Sequence, residues 1–165
     1  FHQLLKYKDI EFYKQHPVIT FDTLYKESKW KIIGYMRVSG DFEISDGFNY
    51  LQSTFQTKEQ FLNFLYQIEV RSSYKCPVDV NEKDSLLMLS TCSYEVHDYR
   101  TVVICRKVRK NESSDVDTSL AHYNKNVLYP SSWYKKYGGD KPTVTSFENA
   151  MSYLNGNLIE NNVVM

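Results

Sequence analysis

Apolar residues recur along this chain in two rhythms, one helical and one alternating, and the changes of rhythm mark out its elements. Over residues 3–15 the apolar positions Leu4, Leu5, Tyr7, Ile10, Phe12 and Tyr13 read as one helix or two short ones. Asp9 stands where it can cap the second turn. Pro17 ends the stretch, because proline disfavours helical backbone at the residue before it. Residues 18–23 are rich in β-branched side chains and predict a strand. Residues 30–39 predict another, closed by the turn Ser39-Gly40-Asp41. Residues 43–84 form a long insertion with its own helix. Thr57-Lys58-Glu59-Gln60 is a capping box, and Phe61, Phe64, Leu65 and Ile68 follow at helical spacing. That helix should run about four turns and end near Ser72-Ser73. Residues 85–91 and 100–109 predict two more strands. The polar link between them is too short for a parallel crossover, so the pair should be antiparallel. A polar linker (residues 111–119), the segment Tyr129-Pro130-Ser131-Ser132-Trp133-Tyr134 and a last helix opening at the capping box Thr145-Ser146-Phe147-Glu148 complete the chain. No repeat and no second domain is visible.

Composition narrows the function classes. The 165 residues suffice for one domain with a real core. Twenty basic and twenty acidic residues cancel, which argues against a nucleic-acid partner, since that affinity rests on a basic surface. The basic run Arg106-Lys107-Val108-Arg109-Lys110 is short and reads as a solvated strand end. Fourteen tyrosines and nine phenylalanines suit strands, a packed core or an aromatic-lined groove equally well. Three cysteines, Cys76, Cys92 and Cys105, form no CxxC pair and stand near no histidine at zinc-finger spacing, so neither a metal nor another cofactor is expected. Their odd number leaves at least one thiol outside any intrachain disulfide. No apolar run approaches the ~20 residues of a membrane helix.

The chemistry centres on Leu87-Met88-Leu89-Ser90-Thr91-Cys92 and on Arg100, eight residues later. Cys92 falls where one apolar strand stops, and Arg100 where the next begins. Adjacent strands lie ~4.8 Å apart, so the two side chains stand side by side if they face the same way. Alternation puts Met88 and Ser90 on the face of Cys92, and Val102 and Ile104 on the face of Arg100. Acyl transfer suits that pairing. A thiolate is the nucleophile, and a neighbouring cation favours it. A guanidinium is always charged and can steady an oxyanion or hold a substrate backbone. A cysteine at a strand end is also the pattern of a small buried hydrophobe. Cys105, inside Val102-Val103-Ile104-Cys105, reads as such a core thiol.

Leu89-Ser90-Thr91-Cys92 with Arg100 downstream resembles the TLxTC…R signature of sortases. The stretches Phe1-His2-Gln3-Leu4 to Asp9 and His16-Pro17-Val18 to Thr23 resemble the region after the histidine loop of class B members. The helical insertion between Ser39 and Ser85 resembles the class B hallmark, and Leu128-Tyr129-Pro130 with Trp133-Tyr134 the end of clostridial-type members. The resemblance implies a mainly β fold with peripheral helices, a sortase-type β-barrel with the helix-containing insertion before the Cys-bearing strand. It covers nearly the whole chain, up to about residue 148, and implies a single catalytic domain, residues 1–165, whose N-terminal strands and histidine loop are expected before Phe1. It implies a cysteine transpeptidase, a peptidase-type hydrolase, of Gram-positive bacteria. Such an enzyme cleaves an NPxTx-type sorting signal of a surface protein after Thr and passes the acyl group to a peptidoglycan precursor amine. Cys92 and Arg100 would be catalytic, with Ser90 and Thr91 binding substrate beside the insertion helix. Work on the outer face of the cell membrane is implied, through an N-terminal anchor that is not in this sequence.

Two departures stand out. The first Thr of the signature is Met88 here. The family histidine is expected roughly ten residues before residue 1, within about 60 residues of preceding chain. Among the histidines present, His2 belongs to the first helix and His97 to the loop between Cys92 and Arg100. His16 and His122 are expected to face solvent. The alternatives are a truncated or non-catalytic peptide-binding module on the sortase fold, or a cysteine hydrolase of another fold. A Cys76 disulfide is disfavoured, and one with Cys92 would block the nucleophile.

Overall fold

The computed structural model describes residues 2–22, 27–41 and 48–147. In chain order the elements are a 3-10 helix (His2–Lys8), α1 (Ile10–Gln15), β1 (Val18–Thr20), β2 (Lys29–Ser39), α2 (Lys58–Arg71), β3 (Tyr74–Lys75), β4 (Leu86–Ser93), β5 (Tyr99–Lys107), a 3-10 turn (Thr118–Leu120), β6 (His122–Tyr123) and α3 (Ser131–Tyr137). Of the two readings left open for residues 3–15, two short helices are present, and the Asp9 carboxylate accepts from the Glu11 N–H as the cap. Thr57 caps α2 through the Gln60 N–H, 3.2 Å away. The return bond of the box goes one residue further back, from the Gln56 N–H to Gln60 Oε1. Glu148 and the residues after it in the last predicted helix, Thr23 at the end of the first predicted strand and residues 43–47 of the insertion lie outside the described residues.

β1, β2, β5 and β4 lie side by side in that order, every pairing antiparallel. They form a curled sheet, half of a barrel, with apolar packing on both faces. Alternation sorts the residues. Leu87, Leu89, Val103 and Cys105 join the cluster under the first two helices, with Leu4, Tyr7, Ile10 and Tyr13. Leu86, Met88, Val102 and Ile104 join the other, under α2, with Phe61, Phe64, Leu65 and Ile68. A bulge at Ile33 shifts the register of β2 between Ile32 and Gly34. It lets α2 come close. A Cβ on Gly34 would stand 3.2 Å from Ser72 Oγ and 3.4 Å from Ile68 Cγ2. The same Ser72 Oγ accepts from the Tyr35 N–H and donates to the Tyr74 carbonyl. The insertion helix is thereby stitched to the central strand, and its apolar face is turned toward β4.

The basic run at the end of β5 is not the solvated strand end its composition predicts. Arg106 is fully buried, and its guanidinium donates to both oxygens of Glu112, at 2.6 and 2.7 Å. Lys31 reaches the same carboxylate at 2.7 Å. Arg109 holds Asp84 through two bonds of 2.7 Å and Asp79 through one of 2.6 Å. The network ties β2, β5 and the approach to β4 together at the end of the sheet remote from Arg100. A buried guanidinium persists only where carboxylates meet it.

Removing the partner should therefore be costly. Glu112→Gln leaves Arg106 without its bidentate acceptor and is expected to lose about 3 kcal/mol, or ~6–12 °C in Tm for a domain of this size. The hydrogen bond from Arg106 is the main cause holding the Glu112 carboxyl well below the usual carboxylate range, outweighing burial, and Lys31 assists. Because the folded-state pKa is depressed, this contribution is full above the unfolded value near ~4.3 and fades as pH falls below it. The gap in urea midpoint between wild type and variant should be widest at pH 7 and narrower at pH 3, closing only below the depressed folded-state pKa. A variant as stable as wild type at pH 7 contradicts this account.

Candidate active site

Cys92 and Arg100 are partners in the β4–β5 ladder, their Cα atoms directly opposed. Opposed residues of an antiparallel pair project to the same face with Cβ atoms about 5 Å apart. Ser90 opposite Val102 and Met88 opposite Ile104 continue that face, as the alternation predicted. Cys92 is exposed and free, whereas Cys76 and Cys105 are free but buried. Burial pushes the Cys76 thiol up to about 12 and raises Cys105 as well, so both remain inert core thiols. Arg100 is 29% exposed at its side chain. It is held from its own strand end by the Tyr99 carbonyl at 3.1 Å and the Asp98 carboxylate at 2.9 Å. Asp98 has a positive φ of 58°, and its carbonyl accepts from the Gly40 N–H at 2.7 Å. A Cβ on Gly40 would meet the Asp98 carboxylate at 2.9 Å, so the glycine predicted for that turn makes room for the residue that holds Arg100.

Thr91 alternates to the other face, opposite Thr101. The ladder puts Cys92, Arg100 and Ser90 on one face of the sheet and Thr91 on the other. Ser90 has a partner the sequence did not disclose. Its hydroxyl lies 3.2 Å from the Tyr50 hydroxyl, so residues just before α2 reach across to β4.

Beyond that contact a groove of about 680 Å³ opens between the insertion and β4. Phe55, Phe61, Phe64, Leu86 and Met88 give it an apolar lining, and Lys58 and Glu82 face each other 3.6 Å apart beside it. Its size fits an extended peptide segment or a small ligand. It follows the face of β4 that ends in Cys92, because Leu86 and Met88 share that face with Ser90 and Cys92.

The four histidines are all exposed. His16 stacks on Phe12 with ring centroids 4.4 Å apart and shares a hydrogen bond with the Phe12 carbonyl. His122 does the same with the Leu120 carbonyl. His2 lies in the first 3-10 helix and His97 in the β4–β5 turn. None of the four is hydrogen-bonded to Cys92 or Arg100. Among the described residues no group of three or more His, Cys, Asp or Glu side chains could hold a metal ion, and no helix is long and apolar enough to cross a membrane.

No model of a protein family matches the chain. Sortase B of Staphylococcus aureus is 26% identical over 111 residues, which is 66% of this chain and 43% of that protein. The solved Staphylococcus aureus sortase B–substrate complex is 25% identical with a TM-score of 0.57, over 66% of this chain and 49% of that one. Clostridium perfringens sortase B matches at 24% identity with a TM-score of 0.59, over 66% of this chain and 58% of that one, a likeness of fold. The chain thus spans about half or less of the staphylococcal relatives it matches. It has a class B sortase-like fold, as the sequence resemblance implied.

Proposed function

We propose that the chain carries the nucleophile and its cation for a sortase B-like cysteine transpeptidase. The observation that carries this reading is an exposed thiol directly opposite an arginine, on the strand face that continues into an apolar groove. The likeness to a sortase B solved with its substrate supports a peptide ligand. In the proposed reaction the Cys92 thiolate attacks the Thr carbonyl of an NPxTx-type sorting signal, and a carbon–sulfur bond forms. Arg100 faces the oxyanion of the tetrahedral intermediate. Collapse breaks the peptide C–N bond, and the leaving amine takes a proton from a general acid, the histidine expected before Phe1. An amine of a peptidoglycan precursor then attacks the thioacyl carbon, loses a proton and expels the thiolate. Ser90 contributes its hydroxyl to the substrate, and Thr91 its main chain. A protein of this kind works at the outer face of the membrane.

Met88→Trp partly fills the groove and tests the substrate path. The expected result is a KM for an NPxTx peptide raised about tenfold with kcat nearly unchanged, the signature of lost uniform binding. It should be measured in protein that includes the expected histidine loop. An unchanged KM removes the groove from the reaction path. Release of free acid only, with no transfer to an added amine, favours a hydrolase over a transpeptidase.

The second reading is a peptide-binding module without catalysis. It is favoured by one observation: no histidine of the described residues is bonded to the pair. Binding of the peptide with no thioacyl product, in protein that includes the loop, would select it.

A further inference from the structure

The turn of residues 94–98 sets how Arg100 stands relative to Cys92, yet it buries little of itself. Tyr94 is 87% exposed, and the turn's own ladder supplies only a bond from the Tyr99 N–H to the Val96 carbonyl at 3.3 Å. Its support from outside comes from the Gly40 N–H, which donates to the Asp98 carbonyl at 2.7 Å, and from α3, about 40 residues further along the chain. The Lys136 ammonium and the Tyr137 hydroxyl both donate to the Glu95 carbonyl, the latter at 2.8 Å. The Glu95 carboxylate accepts from Arg37 Nε at 3.1 Å. That guanidinium lies over the Tyr35 and Trp133 rings, 5.5 and 5.6 Å from their centroids. Trp133 is stacked on Tyr129 at 4.4 Å. At the far end of the turn the Tyr99 hydroxyl meets Ser132 Oγ at 2.9 Å. Helix α3 and its aromatic stack therefore grip the turn three residues after Cys92 and again one residue before Arg100.

We infer that α3 is a positioning element for the site: Lys136 and Tyr137, acting through the Glu95 carbonyl, set the turn and with it the place of the Arg100 guanidinium beside the Cys92 sulfur. This rests on reading Cys92 and Arg100 as the reacting pair. Neither Lys136 nor Tyr137 touches that pair. Their effect passes through the backbone of a short, mostly exposed turn, whose geometry depends on the few hydrogen bonds it makes.

The test uses the rates at which Cys92 is alkylated by iodoacetate and by iodoacetamide, followed by intact mass. The two reagents are nearly equal in size, and the same thiolate attacks both, so the ratio of the rates reports the positive charge at the sulfur. Arg100→Ala is expected to lower the iodoacetate preference about threefold. The double variant Lys136→Met/Tyr137→Phe, which keeps the aromatic stack, should lower it by a similar factor. The three changes together should lower it no further, because residues acting through one group are not additive. Two outcomes overturn the inference alone. One is an unchanged ratio in the double variant while Arg100→Ala lowers it. The other is a full second drop on top of Arg100→Ala, which would mean that Lys136 acts directly through space. An unchanged ratio in Arg100→Ala overturns the pair itself and the inference with it. Tyr137→Phe alone, with the same expected direction, replaces the double variant if that one melts near room temperature.

Discussion

Alanine at Cys92 is expected to take turnover of an NPxTx peptide to background, a fall of roughly 10⁴-fold or more. The expectation is this large because the chain has no second thiol able to substitute. Cys76 and Cys105 are 2% and 0% exposed, and each sits in the cluster on the opposite face of the sheet from the groove. Burial also keeps both protonated, and a thiol in that state is a poor nucleophile. Stability should barely change, since Cys92 is exposed at a strand end. Initial rates with a quenched peptide, alongside melting curves, separate the two effects. Turnover retained in a folded Cys92→Ala variant would place the chemistry elsewhere.

The second large effect belongs to Arg100. Arg100→Ala is expected to cost about 10²–10³ in kcat, the range for losing one donor to a developing oxyanion. Arg100→Lys should recover little of it, because an ammonium is a point charge and cannot reproduce the planar fork of donors. The Asp98–Arg100 ion pair is partly exposed on both sides, so its loss should cost the fold no more than about 1 kcal/mol. A kinetic defect with a near-native Tm is the pattern to look for. A loss confined to KM would instead make Arg100 a substrate-binding residue only.

The pair itself was legible in the sequence for a simple reason. A short polar link forces two apolar strands to be antiparallel, and with strand period two the residues at its ends can share a face. Those rules left one condition open, that both residues face the same way, and the ladder meets it by pairing Cys92 with Arg100. The capping box before Phe61 gave α2, whose first cap bond is present. What sequence reasoning missed depends on residues far apart in the chain. The buried state of Arg106 comes from Glu112 and Asp79, and nothing in the local run of basic residues announces a fully buried guanidinium. The two-residue strands β3 and β6 are too short for alternation to register. The short helix α3 has no side-chain cap and no residue buried at its surface, so it carries no periodic signal. The Tyr50–Ser90 contact and the grip on Glu95 join positions 40 to 42 residues apart. The facing of the Thr91 side chain, opposite Thr101, is a further point that the motif does not give. A motif names neighbouring residues together, while a strand sends alternate ones to opposite faces.

The most direct measurement is the intact mass of protein that includes the expected histidine loop, taken seconds after mixing with a sorting-signal peptide and quenched in acid. The predicted spectrum contains a species heavier by the acyl fragment of the peptide. It should map to Cys92 on digestion, disappear when an amine is added, and be missing from Cys92→Ala. Cleavage of the peptide without that adduct, or an adduct on any other residue, would contradict acyl transfer through the Cys92 sulfur.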